Sequence, residues 1–152
     1  MIHIALLQPQ IPPNTGNIAR LCAATGIQLH LVGPLGFQIT DRRLKRAGLD
    51  YWHSVELSRH DDLESFLDGI PDHLLFFFSA RASTSYVRAP FRQGSYLIFG
   101  NETSGLPTCV LRQFADRTYR IPMFQPSVRS LNLSSAVAIV AYEALRRLGR
   151  LE

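Results

Sequence analysis

Short apolar runs alternate along the chain with segments whose apolar residues recur at helical spacing. The runs predict strands at residues 2–7, 28–32, 54–57, 74–79, 95–99 and 118–121. The segments between them predict helices at residues 15–24, 41–48, 61–67, 107–114 and 131–148. Strands that alternate with helices favour an α/β fold, in which helices cover both faces of a mostly parallel sheet.

Capping residues set the expected ends of the first two helices. Asn14 or Thr15 is suited to cap the first helix, and Gly26 is suited to close it. Thr40 or Asp41 is suited to cap the second, which is short and basic.

The last predicted helix is apolar on more than one face. Its apolar positions are Leu133, Ala136, Val137, Ile139, Val140 and Ala144. A helix that is apolar nearly all round is usually buried on two sides. In so small a protein the second side suits a subunit interface, so a homodimer is expected.

The composition is that of an ordinary globular protein. Of the 152 residues, 46% are apolar and 18% are charged, so the chain is able to bury a core. No repeat or linker interrupts the pattern, which predicts one domain over residues 1–152. No signal peptide or membrane span is predicted, because no apolar stretch approaches about 18 residues. Cys22 and Cys109 are the only cysteines, which favours a cytoplasmic protein without disulfides.

The formal net charge is +4, which favours a polyanionic partner. Basic residues gather at two places, Arg42, Arg43, Lys45 and Arg46, and then Arg146, Arg147 and Arg150. Each cluster also has a simpler interpretation. The first suits a solvated helix face, and the second suits cations that complement the dipole at a helix end.

The first candidate motif is N-T-G-N-I-A-R at residues 14–20. A glycine between polar residues at a helix start leaves backbone N–H groups open to an anion, with Arg20 one to two turns further on. A capped helix with one surface arginine explains the same residues. The chain contains neither G-x-G-x-x-G nor a Walker A sequence.

The second candidate motif is F-G-N-E-T-S-G-L at residues 99–106. Gly100 directly follows a strand, where it lets the backbone approach a ligand closely, and Gly105 is suited to a positive φ. Glu102 has a second interpretation, as a cap of the helix that follows.

The third candidate motif joins I-P-M at residues 121–123 to R-S-L-N-L-S-S at residues 129–135. A polar loop that opens an apolar helix offers hydroxyls and N–H groups beside an apolar wall, which suits an adenosine. An ordinary helix cap followed by serines is the alternative. The five histidines show neither HxxxH nor HExxH spacing, so no metal site is predicted.

All three motifs follow predicted strands. In parallel α/β sheets, ligands bind outside the carboxyl ends of the strands. We therefore expect the motifs to share one site.

In their order and spacing, the three motifs resemble the SPOUT class of RNA methyltransferases. The branch that modifies the wobble nucleotide of tRNA, and carries no added RNA-binding domain, is especially similar. Further matches to that branch are I-P-P-N-T-G-N-I at 11–18, L-K-R-A-G-L-D-Y at 44–51 and A-Y-E-A-L-R-R at 141–147. The resemblance covers essentially the whole chain.

The resemblance implies a homodimer, a deep trefoil knot in the C-terminal third and S-adenosylmethionine bent within the knot. The implied contacts of this methyl donor are Phe78, Gly100, Ile121, Met123, Ser130 and Leu131. The implied catalytic residues are Arg20, Asn14 and Tyr142. RNA is expected at Asn17, Arg42, Arg43 and Arg46. Ser104 departs from the family, whose members often carry a basic residue there.

The implied reaction is methylation of the 2′-hydroxyl of the wobble nucleotide, cytidine or a modified uridine, in the anticodon loop of leucine tRNAs. A guanidinium stays protonated in proteins, so Arg20 is expected to hold the adjacent phosphate and polarise the hydroxyl. Methylation of ribosomal RNA and a non-catalytic RNA-binding module are the alternatives. A nucleotide-dependent oxidoreductase is disfavoured by the missing glycine fingerprint.

Overall fold

The computed structural model describes residues 1–152, with the side chains of residues 1–47 and 51–152. The strands are β1 His3–Leu7, β2 Gln28–Val32, β3 Leu57–His60, β4 Leu75–Phe78, β5 Thr84–Ser85, β6 Tyr96–Phe99 and β7 Thr118–Arg120. The helices are α1 Pro12–Thr25, α2 Arg42–Gly48, α3 Leu63–Leu67, α4 Thr108–Gln113 and α5 Leu133–Arg147. Short 3₁₀ turns lie at Leu49–Ser54, Asp72–Leu74, Tyr86–Arg88 and Ala115–Arg117.

The strands form one sheet in the order β3-β2-β1-β6-β4-β7-β5. Every neighbouring pair is parallel. Ala5 in β1, for example, pairs with His30 on one side and Ile98 on the other. The predicted α/β fold with a parallel sheet is confirmed.

The core lies on both faces of the sheet because side chains alternate along each strand. Ile4 and Leu6 of β1 pack in one cluster with residues of α1 and α5. Ala5 and Leu7 pack in the other cluster with residues of α3 and α4. Helices therefore cover both faces, as predicted.

Two predicted boundaries and one omission are corrected by the structure. α1 begins at Pro12, so Asn14 and Thr15 lie inside its first turn and do not cap it. Proline fits the first turn of a helix because the N–H groups of that turn have no acceptor within the helix. The N–H that proline lacks therefore costs no hydrogen bond there. The third strand lies at Leu57–His60 and not at residues 54–57, because the preceding residues form a 3₁₀ turn. The two-residue β5 was not predicted.

The other helix ends follow the expected local chemistry. Gly26 closes α1 with a φ of 71°, a conformation that glycine adopts at little cost. Asp41 accepts a hydrogen bond from the backbone N–H of Arg43 at the start of α2. Asn132 caps α5 by accepting from the N–H of Ser134. No helix in the described residues has the length and apolarity to cross a membrane.

Three histidines form a line across β1, β2 and β3. His3 Nδ1 lies 3.1 Å from His30 Nε2, and His30 Nδ1 lies 3.0 Å from His60 Nε2. Phe66 of α3 and Tyr96 of β6 pack against these rings. Burial, followed by the neighbouring charges of His3 and His60, lowers the pKa of His30 to about 4. His30 is therefore neutral at physiological pH.

Candidate functional site

A pocket of about 480 Å³ opens at the carboxyl ends of β4 and β6. Three segments form it: the residues after β4, the loop at residues 100–106, and the segment from residue 121 into the first turns of α5. A volume of this order is typical of sites for small molecules and cofactors. Its place at the sheet agrees with the general rule for parallel α/β folds.

The structure gathers all six predicted donor-binding residues in this pocket. They are Phe78, Gly100, Ile121, Met123, Ser130 and Leu131. Asn14 of the first motif also lines the pocket. Residues separated by more than a hundred positions in the sequence thus meet at one site, as expected from their places after parallel strands.

Aromatic and aliphatic side chains form the inner wall. The rings of Phe78 and Phe99 stack with their centroids 4.9 Å apart. Leu106, Ile121 and Leu133 add aliphatic surface. This wall suits the flat face of a base, while backbone groups of the loops are available to its polar edge.

The loop at residues 100–106 folds back on itself. A methyl group added at Gly100 would overlap the backbone of Gly105 and Leu106. Gly105 has a φ of 67°, which confirms the predicted left-handed conformation. The side-chain oxygen of Asn101 accepts from the N–H groups of Thr103 and Ser104, at 3.0 and 2.7 Å. Backbone therefore forms this side of the pocket, and Gly100 must remain a glycine.

Glu102 connects this loop to the start of α1. Its carboxylate accepts from the N–H groups of Gln10 at 2.9 Å and Ile11 at 3.3 Å. The Thr103 hydroxyl donates to the Gln10 side chain at 2.9 Å. The alternative that Glu102 caps the helix that follows is therefore wrong, since Pro107 occupies the cap position of α4.

Asn14 connects α1 to the start of α5. Asn132 Nδ2 donates to Asn14 Oδ1 at 3.1 Å. Asn132 Oδ1 accepts at the same time from the N–H and the hydroxyl of Ser134. Asn14 has only 6% of its surface exposed. This predicted catalytic residue thus also holds two helices together at the pocket.

The other predicted catalytic and RNA-contacting side chains lie outside the pocket lining of this chain. Arg20 is exposed on α1, with its guanidinium carbon 5.2 Å from the centroid of the Tyr51 ring. Asn17 is exposed on the same helix. Tyr142 is 46% exposed on α5.

The predicted basic cluster lies on α2, which packs against α1. Arg42, Arg43 and Arg46 are exposed. Arg43 also forms an ion pair with Asp41, with 3.4 Å between Nη2 and Oδ2. Hydrogen bonds from the backbone and side chain of Arg43 lower the pKa of the Asp41 carboxyl. Arg43 thus also stabilises the start of its own helix.

Three residues at or beside the pocket were not singled out from the sequence. Arg81 follows β4 and lines the pocket, and Asn132 forms the bridge to Asn14. Phe124 belongs to the segment between β7 and α5 and is 90% exposed. The position of Arg81 after a strand was the available signal for it. Among the described side chains, no group of three or more metal-ligating residues has a geometry suited to an ion.

A parallel sheet with a partly apolar pocket at its carboxyl edge defines a class of α/β proteins that bind nucleotide-like ligands there. Within that class, the chain matches the model of the SpoU rRNA methylase family over residues 1–142 and belongs to this family. The family membership expected from the three motifs is thereby confirmed.

Several proteins are similar to this chain over most of its length. The tRNA (cytidine(34)-2′-O)-methyltransferase of Escherichia coli strain K12 is 47% identical over 150 residues, which are 98% of this chain and 95% of the relative. A solved structure described as giving structural insights into the 2-OH methylation of C/U34 on tRNA is 51% identical. It has a TM-score of 0.89, with 97% of this chain and 95% of that chain covered.

A more distant neighbour contains a bound cofactor. The SpoU methyltransferase from Streptomyces viridochromogenes in complex with AdoMet is 25% identical, with a TM-score of 0.83. The match covers 95% of this chain but only 57% of that one.

Proposed function

We propose that this protein transfers a methyl group from S-adenosylmethionine to the ribose 2′-hydroxyl of nucleotide 34 in tRNA. The observation that carries the proposal is the assembly of all three motifs around one pocket in a chain that matches a tRNA methyltransferase along nearly its full length. Methylation of ribosomal RNA is less well supported. Both the relative at 47% identity and the solved structure at 51% identity concern the methylation of tRNA.

The residues present fit the methyl donor. Phe78, Ile121 and Leu131 offer apolar surface to the adenine ring, and the backbone after Gly100 can approach the ligand closely because a side chain there is excluded. Met123 and Ser130 complete the set of donor contacts that we propose. When bound, S-adenosylmethionine supplies an electrophilic methyl group, whose sulfonium leaving group is already activated.

The chain's own contribution is to align and polarise the ribose hydroxyl. Correct alignment of the attacking oxygen provides much of the acceleration in a displacement of this kind. In our proposal Arg20 holds the phosphate beside the ribose and polarises the hydroxyl, because a guanidinium is a poor proton acceptor. Asn14 and Tyr142 assist in placing the nucleotide.

The placement of Arg20 and Tyr142 supports a homodimer. Neither side chain lines the pocket of its own chain, so a second subunit is the natural source of these groups. α5 exposes Ile139 and Tyr142, which gives the subunits an apolar face to share. A trefoil knot around the donor pocket and a cytoplasmic location belong to the same proposal.

The RNA surface that we propose consists of Asn17 and the arginines of α2, namely Arg42, Arg43 and Arg46. An anticodon loop suits such a surface because its single-stranded nucleotides can be splayed out for recognition. Leucine tRNAs with cytidine or a modified uridine at the wobble position are the proposed substrates.

The decisive experiment is transfer of labelled methyl groups to total tRNA, with the product mapped by its resistance to alkaline cleavage. A single 2′-O-methyl group at nucleotide 34 is expected. If methyl groups were transferred to ribosomal RNA alone, the proposed substrate would be wrong but the proposed reaction would stand. If calorimetry detected no binding of S-adenosylmethionine, the proposed enzymatic activity would be contradicted and an RNA-binding module would be favoured.

A further inference from the structure

Phe124 lies in the segment between β7 and α5 and exposes 90% of its surface. The same segment exposes Val128 and Leu131. Its backbone makes a local turn in which the N–H of Val128 donates to the carbonyl of Gln125. An aromatic ring presented to solvent by a loop beside a pocket is available to a ligand.

The segment places Phe124 beside the mouth of the pocket. Met123, the residue before it, lines the pocket, and Ser130 and Leu131 at the other end of the segment line it as well. On the proposed function, the ribose oxygen must come within bonding distance of the donor methyl group. The acceptor nucleotide must therefore lie over this mouth, within reach of the segment that borders it.

One arginine lines the same pocket, and two more lie near Phe124 in the chain. Arg81 lines the pocket, exposed Arg120 ends β7, and exposed Arg129 lies within the segment, five residues after Phe124. Glu102, the other charged residue among the described side chains that line the pocket, has its carboxylate bonded to the N–H groups of Gln10 and Ile11. Exposed aromatic rings between arginines are typical of surfaces that bind single-stranded nucleic acid.

We infer that Phe124 stacks on the base of the nucleotide that is methylated and so positions its ribose over the pocket. This inference rests on the proposed function and deepens it. A second copy of the chain is the less suitable occupant. Cores of subunit interfaces are depleted in charge, whereas exposed arginines lie four residues before and five residues after Phe124 in the chain. Stacking tolerates any base, so Phe124 contributes to positioning and not to the choice of base.

The test compares Phe124→Leu with Phe124→Tyr. Leucine keeps the apolarity but removes the aromatic face, whereas tyrosine keeps the face. We expect Phe124→Leu to lower kcat/KM for tRNA by roughly tenfold and Phe124→Tyr to remain near wild type. The dissociation constant of S-adenosylmethionine and the sedimentation of the protein are expected to be unchanged in both. Val128→Ala, which alters an exposed apolar residue of the same segment, is the matched control.

A direct readout uses an anticodon stem–loop RNA with 2-aminopurine at the wobble position, whose fluorescence is quenched by stacking. The wild type and Phe124→Tyr are expected to quench the bound probe more strongly than Phe124→Leu. Equal quenching and equal kcat/KM in all three proteins would overturn the inference. So would a weakened donor affinity in Phe124→Leu, which would make the ring a cover for the donor, or a dissociated dimer, which would make it a subunit contact.

These outcomes differ from a failure of the proposed function. If the wild-type protein binds S-adenosylmethionine but methylates no tRNA, the proposed function is wrong. If the wild type methylates tRNA and Phe124→Leu does so equally well, only the stacking inference is wrong.

Discussion

The guanidinium of Arg20 rests on the ring of Tyr51, at 5.2 Å from the centroid. An arginine over an aromatic face loses part of its rotational freedom while its N–H donors stay available at the edges. On the proposed function, this arrangement fixes the direction in which Arg20 meets a phosphate. Its long side chain is thus ordered before RNA arrives.

Replacement of Arg20 by alanine should separate turnover from donor binding. We expect Arg20→Ala to lower kcat on tRNA by about a hundredfold or more, with the dissociation constant of S-adenosylmethionine within about twofold of wild type. Single-turnover methyl transfer and calorimetry measure the two quantities. Arg112→Ala, which removes an exposed arginine from α4, is the control. Near-normal turnover in Arg20→Ala would exclude the role assigned to Arg20.

Gly100 and Gly105 form a matched pair of glycines in one loop. A methyl group at Gly100 would overlap backbone, whereas at Gly105 it would meet nothing within 4 Å. We expect Gly100→Ala to abolish donor binding and to lower the free energy of unfolding by roughly 1–3 kcal/mol. Gly105→Ala should cost roughly 1 kcal/mol, because alanine is strained at its φ of 67°.

Urea unfolding and donor calorimetry on the two glycine variants check this difference. If the Gly100→Ala variant bound the donor as tightly as the Gly105→Ala variant, the loop at residues 100–106 would be able to move aside. The backbone would then not be the wall that shapes the pocket.

Among the elements, the line of histidines across β1 to β3 makes the stability of the sheet depend on pH. The pKa of His30 is about 4 in the folded protein, against about 6.5 for an unfolded chain. The unfolded chain therefore binds more protons between these values, so the stabilisation is complete above pH 6.5 and is lost as the pH falls towards 4. Burial lowers the pKa of His3 as well, which acts in the same direction.

We expect His30 to account for a loss of about 2 kcal/mol in the free energy of unfolding between pH 8 and pH 5. Urea unfolding at the two pH values measures this loss. His30→Leu should have a smaller difference between pH 8 and pH 5 than the wild type. His73→Gln, which removes an exposed histidine, is the control and should keep the wild-type difference. If His30→Leu lost as much stability between pH 8 and pH 5 as the wild type does, His30 would not be the source of the pH dependence.

Elements with a strong apolar pattern were predicted well because local sequence decides them. β4 is an unbroken apolar run that is buried throughout, and α5 differs from its prediction only at its ends. Errors arose where the pattern is weak. The pattern predicts that the first helix begins at Asn14 or Thr15, yet Pro12 and Pro13 already form the first turn of α1. β5 has only two residues and depends on pairing with β7, which no local signal reveals.

At the scale of the whole molecule, four of the 16 basic residues lie on the short helix α2. Arg42 and Arg46 are exposed there, and Arg43 shares its charge with Asp41. Each phosphate contact lowers the slope of log K against log salt by about 0.7–0.9. The slope measured for tRNA binding therefore gives the number of phosphate contacts that the basic residues make.

We expect the double variant Arg42→Gln, Arg46→Gln to weaken tRNA binding and to flatten this slope by roughly 1.5. Filter binding across a salt series gives the slope. A variant with equal loss of charge on other exposed sites, Arg92→Gln, Arg112→Gln, should keep the wild-type slope. An unchanged slope in the α2 variant would remove α2 from the RNA surface.

The pocket was predictable because its motifs follow parallel strands, whose carboxyl ends meet at one edge. The surroundings of the pocket were not. Arg81 and Phe124 lie in loops, where a single charged or aromatic residue produces no periodic signal. The partner of Asn14 was hidden as well, because Asn132 lies 118 positions away in the sequence and local pattern does not specify such pairs.

We expect the hydrogen bonds of Glu102 and Asn132 to the start of α1 to couple the binding of the donor to the binding of RNA. A ligand that orders the loop at residues 100–106 orders, through these bonds, the helix that carries Arg20. Since a coupling free energy is reciprocal, the factor by which the donor tightens RNA binding equals the factor by which RNA tightens donor binding. This reciprocity holds whichever of the two substrates binds first.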